Sequence, residues 1–168
     1  AAVIATDGEA QSVVNAGISG EMFMLRAVEL GLGGVWVSGT FKRGQVGIKL
    51  KDGEKLLAVI ALGVPKRAPT DNPVRKRKDI AAICPEFEAL HPALREAAQY
   101  VRIAPSAMNL QPWRFTMLSD KAVTLAVSMP PMRLDLGIAL AHVVLALGST
   151  PSLFSLDDTG LVATIELL

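Results

Sequence analysis

"NAGISGEMFMLRAVELG", residues 15–31, is the stretch on which the reading of the fold turns. With Val14 just ahead of it, apolar residues recur at Ile18, Met22, Leu25 and Val28. That three-and-four spacing predicts a helix face, and Gly31 supplies its stop. The plan returns in "DLGIALAHVVLALG", residues 135–148, which has the same Asn/Asp-x-Gly-Ile opening and an apolar helical body. Each helix is preceded by a β-prone run and followed by one, "LLAVIALG" in the first case and "LVATIELL" in the second. The chain therefore reads as a single domain over 1–168, with residues 1–78 the remainder of a first half-repeat and 79–168 a second.

The halves are unequal. Nothing in the first matches residues 92–113 of the second, so the chain is expected to be incomplete at its N-terminus. "AAVIATDG" begins directly at a strand and lacks the basic n-region of a secretory signal.

Working outward, "GVWVSG" (34–39) and "KLLAVIALGVP" (55–65) read as strands, the second stopped by Gly63 and Pro65. Residues 65–78 form a Pro-rich basic loop carrying "RKRK" at 75–78. A helical turn over 79–83 and an amphipathic helix over 92–103 follow. "RFTMLS" (114–119) and "AVTLAV" (122–127) are further strands ahead of the helix near 134–147. That last helix is continuously apolar for only about a dozen residues, too short to span a bilayer, and is expected to be a core helix.

Seventeen Lys and Arg balance sixteen Asp and Glu, which leaves no global field to favour nucleic acid or an anionic membrane surface. Hydrophobic residues make up 51% of the chain and mean hydropathy is +0.38, so extensive burial is expected. The lone cysteine, Cys84, excludes an internal disulfide and a multi-cysteine metal site, and a reducing, cytoplasmic location follows. His142 reads as a core histidine, His91 before Pro92 as a cap, and Cys84 lacks the basic partner of a nucleophile. No Ser-His-Asp set, carboxylate pair or metal spacing stands out.

Three segments carry the chemical signal. "APSAMNLQPW" (104–113) holds too many turn-formers for a helix and too little alternation for a strand; Ser106 and Asn109 can cap backbone amides or offer their polar groups to a ligand. "ELGLGGVWVSG" (29–39) leaves backbone groups accessible with little side chain in the way. In "RKRKD", alternate basic residues on an extended chain point the same way, so Arg75 and Arg77 can reach one phosphate.

The pattern Pro-Ser-Ala-x-Asn-x-Gln-Pro-Trp resembles the flavin-binding loop of the FMN-dependent nitroreductase family. The Gly-Leu-Gly segment and the Arg-x-Arg pair resemble the same family in the same order. "MRLDLGIALAH" (132–142) is similar to the branch in which two degenerate nitroreductase-like halves are fused in one chain. The resemblance implies an α+β nitroreductase-like fold, with a mainly antiparallel sheet flanked by helices and a pseudo-twofold repeat.

It also implies one FMN site. Gly31, Leu32, Gly33 and Gly34 would lie along the ring edge, Arg75 and Arg77 at the phosphate, and Pro105, Ser106, Ala107, Met108, Asn109 and Gln111 in the loop that positions the cofactor. The implied activity is electron transfer from NAD(P)H, as co-substrate, to nitroaromatic, quinone or similar acceptors in a ping-pong cycle. The implied partner is a small-molecule acceptor, with neither nucleic acid nor membrane, in a monomeric pseudo-dimer or a homodimer. The family's N-terminal Arg-x-Ser-x-Arg segment has no counterpart here, which leaves a non-catalytic or vestigial flavin binder, or another flavin reaction on the same fold, as the alternatives.

Overall fold

A computed structural model of the chain describes residues 1–66 and 76–168. The order is β1 (Ala2–Thr6), α1 (Ala10–Glu29), β2 (Gly33–Val37), β3 (Lys55–Gly63), α2 (Ile80–Ile83), α3 (Pro92–Ile103), β4 (Arg114–Ser119), β5 (Ala122–Ala126), α4 (Arg133–Leu147), β6 (Ser152–Leu156) and β7 (Val162–Leu167). The antiparallel strands form two sheets, β1-β3-β2 and β4-β5-β7-β6. In the first, Ala2 stands opposite Ile60 and Gly33 opposite Gly63. In the second, Arg114 pairs with Ala126, Ala122 with Glu166, and Ser152 with Leu167.

Leu56, Ala58 and Ile60 are the buried alternate positions of β3, the period of two that a sheet with one covered face requires. Helix α1 stops where the sequence predicts. Gly31, at φ +82°, donates its N–H to Val28 O at 2.9 Å, while Leu32 N–H reaches Ala27 O at 3.0 Å. These two bonds are a Schellman closure, which needs a left-handed residue at Gly31.

Helix α3 buries Leu94, Ala97, Ala98 and Val101, an i, i+3, i+4, i+7 stripe. His91 caps it, with Nδ1 accepting from Ala93 N–H at 3.3 Å. Helix α4 is apolar all round and lies between α1 and α3. Pro130–Leu147 is apolar and long enough to cross a membrane by composition, but most of it is buried within the protein. Around α4 the core joins Val14, Ile83 and Trp113 to Phe115, Leu125 and Ile165.

Helices α1 and α4 cross at the two glycines of the repeated motif. A Cβ on Gly17 would lie 2.9 Å from Gly137 Cα, and one on Gly137 would lie 2.8 Å from Gly17 Cα. Contact this close is open to glycine alone.

One strand went unforeseen. β6, "SLFSL", places apolar Leu153 and Phe154 next to each other, both largely exposed, so it lacks the alternation that marks a half-buried strand.

Candidate functional site

Beyond α3 the chain turns through Ala104 to Trp113 in a strained path. Ala107–Asn109 form a 3-10 turn, and Met108, Asn109 and Gln111 have φ of +50°, +57° and +49°. Asparagine tolerates the left-handed region, whereas Met and Gln each pay about 1–2 kcal/mol there. Specific bonds hold the path. Asp135, in the first turn of α4, accepts Ala107 N–H at 3.0 Å, Ser106 Oγ accepts Gln111 N–H at 2.9 Å, and Gln111 Nε2 donates to Asn109 O at 3.1 Å. Burial pushes the Asp135 carboxyl above its ordinary range, opposed in part by the Ala107 N–H. Asp135 was not singled out as a site residue from the sequence, although it is the first residue of the repeated Asp-x-Gly-Ile motif.

The basic segment runs along this loop. Arg77 donates through Nη1 to Asn109 Oδ1 and through Nη2 to Ile103 O at 2.8 Å. Asn109 Nδ2 donates to Lys76 O at 2.9 Å. Lys78 N–H reaches Gln111 Oε1 at 2.8 Å and its Nζ reaches Gln111 O at 3.0 Å, while Arg102 Nε donates to Lys78 O at 2.8 Å. Two segments more than thirty residues apart are thus laced together. Gln111 is almost fully buried, Asn109 half-buried, and the Met108 side chain 87% exposed at the tip. Behind the loop, Lys78, Pro112, Trp113, Arg114, Val127 and Ser128 line a cleft of about 470 Å³. Arg75 lies outside the described residues.

The glycine segment sits on the other sheet. Gly33 and Gly34 begin β2, one of the two terminal strands of β1-β3-β2. A Cβ on Gly34 would collide with the Met24 thioether, and one on Gly33 would stand 3.4 Å from Pro65 Cβ. Among the described residues no hydrogen bond joins Gly31–Gly34 to Pro105–Gln111. Gly33 stands beside Pro65, and Asn109 is bonded to Lys76 and Arg77.

A family model described as "Putative TM nitroreductase" matches residues 2–147. The chain belongs to this nitroreductase family. Its fold matches a crystal structure from Thermotoga maritima described as a "putative nitroreductase", with a TM-score of 0.74 and 23% identity, over 93% of this chain and 65% of that one. The chain therefore spans about two thirds of the length of that structure. No curated protein matches it. The α+β nitroreductase-like fold expected from the sequence is the fold observed.

In this nitroreductase-family chain His142 and Cys84 are both buried. His142 Nε2 lies 3.1 Å from Glu21 Oε1, both side chains are buried, and Trp36 Nε1 donates to Glu21 Oε2 at 2.8 Å. The three residues tie α4 to α1 and β2, with His142 and Glu21 buried and Trp36 partly buried against the core. Cys84 is 1% exposed and its thiol is pushed up to about 11, first by burial and then by the Glu86 charge. Among the described residues no cluster of His, Cys, Asp and Glu could hold a metal.

Proposed function

We propose that the protein is an FMN-binding oxidoreductase that takes electrons from NAD(P)H and passes them to nitroaromatic, quinone or similar small-molecule acceptors. The observation that carries this reading is the lacing of Arg77 and Lys78 to Asn109 and Gln111. It joins the two segments that the family resemblance assigns to one cofactor.

The residues present fit a flat phosphorylated cofactor in two respects. The loop is fixed by Asp135 and Ser106 with its tip exposed. Gly33–Gly34 offers a terminal strand without side chains beyond Cα, so a planar ring edge could approach backbone donors and acceptors directly. Arg77, with Arg75, would hold the phosphate, and Ser106 and Asn109 would fix the position of the cofactor. Pro105, Ala107, Met108 and Gln111 would shape the loop around it, and the backbone of Gly31, Leu32, Gly33 and Gly34 would polarise the ring edge. When bound, FMN would supply the two-electron chemistry, while the protein contributes orientation and electrostatics.

In this reading two degenerate halves share one flavin site in a cytoplasmic pseudo-dimer or homodimer. The test is anaerobic. Protein loaded with FMN should be yellow and should bleach on addition of NADH or NADPH, then regain colour with a quinone. Flavin that binds yet never bleaches would mark a passive binder.

A further inference from the structure

Apart from Arg133 at its start, α4 has two polar side chains, Asp135 and His142, in an otherwise apolar sequence. They lie about two turns apart and so on one side of the helix. Each reaches a different part of the candidate site. Asp135 accepts the Ala107 N–H of the loop, while His142 Nε2 lies 3.1 Å from Glu21 Oε1 on α1. Glu21 Oε2 in turn accepts the indole N–H of Trp36 on β2 at 2.8 Å.

The same elements meet closely at glycines. A Cβ on Gly20 would enter the Trp36 ring, and one on Gly34 would enter the Met24 thioether, so β2 sits directly on α1. Gly17 and Gly137 close the crossing of α1 with α4. A path therefore runs from Gly33–Gly34 through Trp36, Glu21, His142 and Asp135 to Ala107. Joining these elements by apolar side chains alone would avoid desolvating the Glu21 carboxylate. Hydrogen bonds instead fix one relative placement, because each holds only over a narrow range of distance and angle.

We propose that Glu21 is a positioning residue for the flavin. Through Trp36 and His142 it sets β2, with the Gly33–Gly34 backbone that meets the ring edge, at a fixed height against the loop that Asp135 anchors. Arg77 is bonded to Asn109 and Ile103, on the loop side of this path, so Glu21 governs the seating of the ring and not the grip on the phosphate. The inference rests on the flavin reading above and adds to it a residue 1% exposed, which acts only through its neighbours.

The test compares Trp36→Phe, which removes the indole N–H and keeps an aromatic ring, with Glu21→Gln, whose amide can accept from Trp36 and donate to His142. Arg77→Ala serves as the phosphate-side reference. Each variant is first shown to be folded by its urea transition, and then its FMN affinity and the midpoint potential of its bound flavin are measured. Trp36→Phe should bind FMN at least about fivefold more weakly and shift the potential, because hydrogen bonds to the ring tune its electronics. Glu21→Gln should keep its affinity within about twofold of the parent, and Arg77→Ala should lose affinity without a shift in potential. If Trp36→Phe matches the parent, weakens binding at an unshifted potential, or is equalled in its loss by Glu21→Gln, the proposal is overturned while the flavin reading stands. A parent chain that takes up no FMN overturns the flavin reading and this inference with it.

Discussion

Gly17 and Gly137 face each other where α1 crosses α4, and a Cβ on either would meet backbone on the other helix, Leu134 O for Gly17 and Val14 O for Gly137. Gly17→Ala and Gly137→Ala must force the helices apart, and each should destabilise the protein by about 1–3 kcal/mol, the usual range for overpacking. Gly39→Ala is the control, since a Cβ there meets nothing within 4 Å. Urea denaturation of the three variants checks this, with Gly39→Ala expected to stay close to the parent.

Glu21 holds buried His142 and the partly buried Trp36 indole. Glu21→Leu leaves His142 and the Trp36 indole without their shared acceptor, which should cost about 1–3 kcal/mol for each stranded group. Glu21→Gln keeps one acceptor oxygen and should lose less. Chemical unfolding monitored by tryptophan fluorescence orders the two variants.

Asp135 couples the loop to pH. Its folded pKa is raised by burial, so the native state binds more protons than the unfolded state between the ordinary carboxylate range and the raised value. Stability therefore falls as pH rises through that window. Asp135→Asn can still accept the Ala107 N–H while removing the buried charge. At pH 7 the variant should be more stable than the parent, and the difference should close as pH is lowered below the raised value. Thermal melts from pH 7 downward measure it.

Cys84 should be chemically silent. With the thiol buried and pushed up to about 11, little thiolate exists at pH 8 and little of it is accessible. A disulfide-exchange reagent should react slowly with the native protein and rapidly once urea has unfolded it.

Most elements were legible because their patterns are local. The i, i+3, i+4, i+7 stripe and the flanking prolines set α3 at Pro92–Ile103, and β-prone composition set β4 at Arg114–Ser119, both as read from the sequence. β6 was not legible, because Leu153 and Phe154 stand side by side and exposed, so the strand shows no alternation. At the candidate site the loop itself was legible from its unusual residue types. Asp135 as its anchor was not, because that contact spans 28 residues and depends on where α4 lies. The bond from Arg77 to Asn109 is likewise a product of tertiary folding, and periodicity carries no record of it.

The central claim is that the laced loop and basic segment hold FMN. Titration of FMN into the purified protein, followed by quenching of flavin fluorescence, tests it most directly. Saturation at one FMN per chain is expected, with Arg77→Ala weakening affinity about tenfold or more, equivalent to roughly 1.4 kcal/mol. A protein that gains no flavin spectrum and shows no saturable quenching would contradict the account.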